Sequence, residues 1–380
     1  MRLSSDQAWQ RARWEGGVRN AVASYLELLG PVASPSLTVA DVPGVRAADA
    51  ARAQASTVPV TVPLWSSWRG TAVETAIAQA IGDRLWRETL PCAAGDWFVD
   101  GLTRYTATSS VAAQFDPTGM PSSVGLLEAR YFGGFIPWVL PVRREAATAG
   151  NGLSDYRAAL DVNPVRAGSE RDRRALAAKT ALSLATMSNW FGRPTWDLVI
   201  RELVGRTRGR CASWADLNRV ADDVTGGDLS WFFRPVFTST GVFDYGVDEI
   251  SSQIEPGSRD QYRTTVVVRR YGDAQFTGTA DPPIGPFESG RGVEVQVRFA
   301  DGAMRTEYWD GRAASRRFVY DGPAAAISAL VDPRQVLALD VDRSNNSRTV
   351  APPARAVTAA WAARWAFWLQ DLLLSYAALV

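Results

Sequence analysis

Gln79, Asp83 and Asp100 are the polar residues whose types and spacing come closest to a chemical site. Gln79 and Asp83 are four apart, so on a helix they share one face. Asp100 joins them if the two helices that carry these residues pack together. Paired carboxylates can do acid–base work or hold a hard cation, and an amide oxygen suits the same kind of ion. The same pattern also fits one aspartate on a helix face and another near a helix start, both simply solvated or capping.

The remaining inventory excludes much other chemistry. The chain of 380 residues contains no histidine, which removes Ser-His-Asp and Cys-His catalysis and every imidazole metal site. Cys92 and Cys211 are the two cysteines. Two thiols cannot make a structural zinc site alone and their spacing matches no ligand pattern, so they are either free thiols or one disulfide. Lys179, the single lysine, lies in "ALAAKTALSL" without a serine at a useful spacing before it. It reads as an amphipathic side chain along a helix surface. The loop "GRTRGR" (205–210) reads as solvated, and no phosphate-binding glycine motif appears in a strand–helix setting. With 41 basic and 40 acidic residues interspersed, the chain has no field that would attract nucleic acid.

The elements that must position these residues are legible from periodicity. Residues 6–29 form an amphipathic helix stopped at Gly30-Pro31, and 36–44 and 58–65 read as strands, the second an edge strand because of its prolines. Thr71 and Glu74 have capping-box spacing, and Val73, Ile77 and Ile81 give the helix over 72–88 a buried stripe. A second helix spans 96–115. Residues 120–170 are broken by glycine and proline. Helices return over 171–191, 194–204, 214–224 (capped by Ser213 with Asp216) and 228–237. Beyond Gly241 the period changes to two in "YRTTVVVRR" and "GVEVQVRF", with Asp-Gly turns at 301–302, 310–311 and 321–322. That predicts a small antiparallel sandwich closing near residue 347.

The order of these elements resembles a known family, the aminopeptidase-N-type zinc metallopeptidases, which are thermolysin-like gluzincins. "AIAQAIGDRLW" (76–86) is similar to the helix that carries H-E-x-x-H, with Gln79 and Asp83 at the histidine positions and Ala80 at that of the catalytic glutamate. "DWFVDGLTRY" (96–105) resembles the third-ligand segment, with Asp100 in the glutamate's place. "AAKTALSLATMSNWFG" (177–192) resembles the helix of the transition-state tyrosine, where Ala177 stands. Residues 214–247 and "VDPRQVLALDVDRSNNS" (331–347) are similar to the end of the family's helical domain and to its C-terminal sandwich. The family's exopeptidase G-x-M-E-N segment is not visible, and its N-terminal β-domain would precede residue 1. The chain is therefore expected to be a shortened descendant or part of a larger protein.

The resemblance implies an α+β multidomain chain. A mostly helical gluzincin-like domain with a small N-terminal sheet covers 1–240, a β-sandwich 241–350, and a Trp-rich amphipathic helix 351–380. It implies vestigial site positions at Gln79, Ala80, Asp83, Asp100 and Ala177, no catalytic residues, no bound zinc and no cofactor. A hard cation at Gln79, Asp83 and Asp100 would be structural, because Ala80 cannot activate a water. The function expected is that of an inactive pseudopeptidase that binds a peptide or protein or assembles near a membrane; the alternative is a diverged hydrolase or hard-cation site at Asp83 and Asp100. Residues 1–30 lack the apolar stretch of a signal peptide. Trp361, Trp365 and Trp368 share one side of the last helix, which is too short and polar for a span. It fits membrane-surface contact or docking over an apolar patch.

Overall fold

The computed structural model describes residues 10–32, 36–42, 57–62, 72–93, 95–114, 152–162, 164, 168–257, 261–278 and 292–351, with single positions at 359, 362 and 366. Helices and antiparallel sheets both occur, so the chain is α+β. It divides into two compact units, each discontinuous in sequence: Met1–Gly152 with Val204–Ala212 and Ala354–Val380, and Leu153–Leu203 with Ser213–Pro353.

In the first unit, α1 (Arg11–Leu29) packs on α2 (Ala72–Thr89), and α2 on α3 (Trp97–Gln114). The stripe read from the sequence is real: Val73, Ile77 and Ile81 are fully buried. Below it, the Thr106 hydroxyl of α3 accepts from Trp86 Nε1 at 3.0 Å and lies 3.3 Å from the Tyr25 hydroxyl, which donates to the Ala78 carbonyl at 3.0 Å. One polar chain thus runs through three helices, each atom satisfied at the depth where an orphan would cost most. Glu74 has a partner on another helix. Its carboxylate takes two bonds from Arg13 of α1, at 2.6 and 2.7 Å, while Thr71 lies outside the described residues. The "GRTRGR" loop is not merely solvated either. Arg208 donates to the Leu29 and Pro31 carbonyls, closing the C-terminus of α1. Two short strands, β1 (Thr38–Asp41) and β2 (Thr57–Val60), pair in parallel beside α2. Cys92 and Cys211 form a disulfide across a sequence separation of 119 residues.

The second unit holds α4 (Leu153–Arg157), α5 (Glu170–Phe191), most of α6 (Arg193–Thr207), α7 (Trp214–Thr225) and α8 (Ser230–Thr238). Reciprocal capping boxes start α5 at Ser169/Asp172 and α7 at Ser213/Asp216. Two antiparallel sheets follow. One has the order β3 (Tyr245–Ile254), β4 (Tyr262–Arg270), β7 (Ser315–Gly322); the other runs β6 (Met304–Trp309), β5 (Val293–Phe299), β8 (Ala326–Val331), β9 (Ser347–Thr349). Two of the three Asp-Gly pairs make turns, with Gly302 and Gly311 at φ 87° and 67°. The third differs: Asp321 and Gly322 stay in β7, where Asp321 meets Arg263 across the ladder at 2.9 Å. Helices and sheets are stitched together inside this unit, for Ala338 N donates to Thr186 Oγ1 at 3.1 Å and Trp190, Trp231 and Phe276 stack edge to face. Lys179 departs from its sequence reading. It is 1% exposed, with Nζ donating to the Ser239 carbonyl at 3.0 Å and 5.9 Å from the centre of the Tyr156 ring.

Candidate functional site

A groove of about 620 Å³ runs along α2 in the first unit, bounded on one side by β2 and Thr61. Its helical wall presents Gln79, Ala80, Asp83, Arg84, Arg87 and Glu88. These residues share one face because positions three and four apart superpose on a helix, while Ile77 and Ile81 point into the core. The other wall exists because Val58 and Val60 are buried, which turns Thr57 and Pro59 the opposite way along the strand. β1 pairs one edge of β2, and among the described residues no strand pairs the other.

Asp83 and Asp100, the two carboxylates singled out by the sequence, meet through a residue that was not. Arg87 donates from Nε to Asp83 and from Nη2 to Asp100, each at 2.8 Å. The cation is one turn beyond Asp83, and the i,i+4 acid-to-base spacing was the signal that could have found it. Asp100 reaches the pair because Asp96 starts α3: its Oδ1 accepts from the Phe98 and Val99 amides, both at 3.0 Å, placing Asp100 in the first turn. All three side chains are partly exposed, at 50% for Asp83, 34% for Arg87 and 31% for Asp100. Burial pushes the Asp100 carboxyl up from its ordinary value; Arg87 opposes this and Asp83 adds to it. Burial pulls the Arg87 guanidinium down, but Asp83 and Asp100 together outweigh it and hold the group above its ordinary value. The site is therefore a charge-compensated cluster with one net negative charge and its cation covalently built in.

Zinc does not fit these donors. Gln79, Asp83 and Asp100 offer oxygen and amide groups rather than imidazole or thiolate, and both carboxylates already bind a guanidinium. Ala80 adds no base. Arg84 and Glu88, the next groove pair, neutralise each other by an ion pair along the helix. Ala177 is buried in α5 of the second unit. Trp361, Trp365 and Trp368 lie outside the described residues; among those described, no helix is long and apolar enough to cross a membrane.

No family model and no curated protein matches the chain. Among solved structures it is similar to Legionella pneumophila aminopeptidase A in complex with aspartic acid, with 12% identity over 89% of this chain and 35% of that one and a TM-score of 0.46. It is also similar to an M1 zinc metallopeptidase from Deinococcus radiodurans bound to a Tyr-Ser-Ala substrate, at 19% identity over 59% of this chain and 44% of that one, TM-score 0.38. A two-domain M1 zinc metallopeptidase bound to L-arginine gives the same identity and coverage with a TM-score of 0.35. The chain thus spans 35% of the Legionella enzyme's length and 44% of the other two. Structural neighbours of this kind are M1 peptidases.

Proposed function

We propose that this chain is a catalytically inactive, aminopeptidase-N-like pseudopeptidase whose groove binds an extended peptide. The observation that carries the reading is the Asp83–Arg87–Asp100 cluster, whose Asp83 and Arg87 line the groove. A guanidinium shared between two carboxylates supplies internally the positive charge that a metal-dependent site takes from an ion. It can neither accept a water as ligand nor lower its pKa. What remains useful is the shape. A peptide strand laid beside β2 on the side that no described strand pairs takes its affinity from main-chain bonds, with no donor at Pro59, and its specificity from alternate side chains. Arg84, Arg87, Asp83 and Glu88 favour a partner with mixed charge over a uniformly acidic or basic one. A role at a membrane surface rests on the Trp-rich segment 356–380 alone, and liposome flotation of the chain with and without it decides that part.

The decisive experiment is metal analysis with a broad peptidase screen on the intact chain. The expected result is substoichiometric metal and no chelator-sensitive turnover, with binding of unfolded peptides measured by fluorescence anisotropy. Chelator-sensitive peptide hydrolysis would falsify the reading. Arg87→Met separates it further from the hard-cation alternative. Removing the guanidinium leaves two uncompensated carboxylates, so the variant gains calcium or magnesium affinity that the parent lacks. A parent chain that already binds those ions at Asp83 and Asp100 would favour the alternative.

A further inference from the structure

The tertiary structure gives Cys92 and Cys211 a third partner that their sequence spacing does not suggest. A carboxylate oxygen of Asp96 and both sulfur atoms lie within 4.8 Å of one another. Cys211 is exposed and Cys92 and Asp96 are partly exposed, so reductants and ions can reach the group. The three residues are held by contacts independent of the S–S bond. Gly209 N donates to the Thr89 carbonyl at 3.0 Å, Cys92 N to Leu90 at 2.7 Å and Asp96 N to Ala93 at 3.1 Å. The Asp96 rotamer is set by the two helix amides it accepts. Arg210 adds a further hold on this segment, its guanidinium donating to the Cys211 carbonyl at 3.2 Å.

We propose that reduction of this disulfide creates a binding site for a thiophilic divalent ion of the zinc class, with Cys92, Cys211 and Asp96 as protein ligands. Two thiolates and a carboxylate suit zinc, and the exposed side leaves a fourth position for water. Oxidised and metal-bound states exclude each other, because the disulfide has no thiolate to offer. A dithiol reductant gives two electrons to the S–S bond and leaves as its own disulfide; a phosphine leaves as its oxide with the oxygen of one water. Either way two thiols form, and each releases its proton to solvent as the ion binds. The site shares no residue with the Asp83–Arg87–Asp100 cluster, although Asp96 starts the helix that carries Asp100, and it does not depend on the peptide-binding reading.

The test is a cobalt titration of the full chain before and after phosphine reduction, with zinc competition and far-ultraviolet circular dichroism in parallel. Reduced protein is expected to take up one cobalt per chain with near-ultraviolet thiolate-to-metal absorption that zinc bleaches, and oxidised protein none. Cys211→Ser abolishes the signal. Asp96→Asn, which keeps an oxygen for the helix amides but loses the charge, weakens binding at least tenfold. No thiolate absorption in the reduced chain, or unchanged affinity in Asp96→Asn, overturns the proposal. If the reduced chain loses helical signal, recovery on adding zinc upholds it and failure to recover overturns it.

Discussion

Single residues carry the main departures from a residue-by-residue reading. Arg87 was one arginine among many in sequence, yet it joins the two aspartates on which any chemistry here would depend. Lys179 was read as a surface side chain and is buried instead. Its depth has a measurable consequence. Burial, partly opposed by Asp273, pushes the ammonium from its ordinary 10.5 down to about 8. The unfolded chain keeps that proton up to the ordinary value, so it binds more protons than the native state between the two pKa values. Native stability therefore rises with pH across that window, and below it the full cost of roughly 3 kcal/mol remains. Lys179→Met is expected to stabilise the chain at pH 7 by about 1–2 kcal/mol, after loss of the bond to Ser239, and to flatten the rise. Urea midpoints of both chains at pH 7 and pH 10 check it; the same difference in midpoint between the two chains at both pH values would show that burial does not shift the lysine's titration within that window.

At the scale of elements, start and stop chemistry was the most legible layer. Ser213 with Asp216 and Gly192 with Pro194 act through neighbours in the chain, so their geometry needs no distant partner. What such signals could not supply is how closely two helices approach. A Cβ placed on Gly82 of α2 would lie 2.1 Å from the Tyr25 hydroxyl and 2.6 Å from Cζ of the same ring. Tyr25 cannot swing away without giving up the Ala78 carbonyl and the Thr106 hydroxyl. Gly82→Ala is thus expected to cost about 1–3 kcal/mol by overpacking, despite alanine's better helix propensity. Thermal melting compared with Gly16→Ala, where the added Cβ meets nothing within 4 Å, isolates the effect. Equal melting temperatures for the two variants would mean that α1 and α2 can separate freely.

For the whole molecule, the disulfide is the covalent cross-link among the described residues. It joins two residues of the first unit, at the end of α2 and in the segment after α6, across a sequence separation of 119 residues that includes Leu153–Leu203 of the second unit. In the chain-entropy account, cross-linking a loop of about that length stabilises the native state by roughly 4–5 kcal/mol. Reduction is expected to lower the denaturation midpoint by a corresponding amount, read by helical signal in urea with and without a phosphine. An unchanged midpoint would locate the stability of this unit in its helix packing alone.

Most of the helices, the Ser213/Asp216 cap, the buried stripe of α2 and the alternation of β4 and β5 were determined by the sequence alone, since each depends on residues close together in the chain; α4, in the glycine- and proline-broken stretch, was not. Only the tertiary structure decided that Arg87 bridges Asp83 and Asp100, that Lys179 is inside, that Tyr25 rests on Gly82, and that Asp96 stands beside a disulfide. Each of these is a meeting of side chains from different elements, and neither period nor spacing encodes the distance between them.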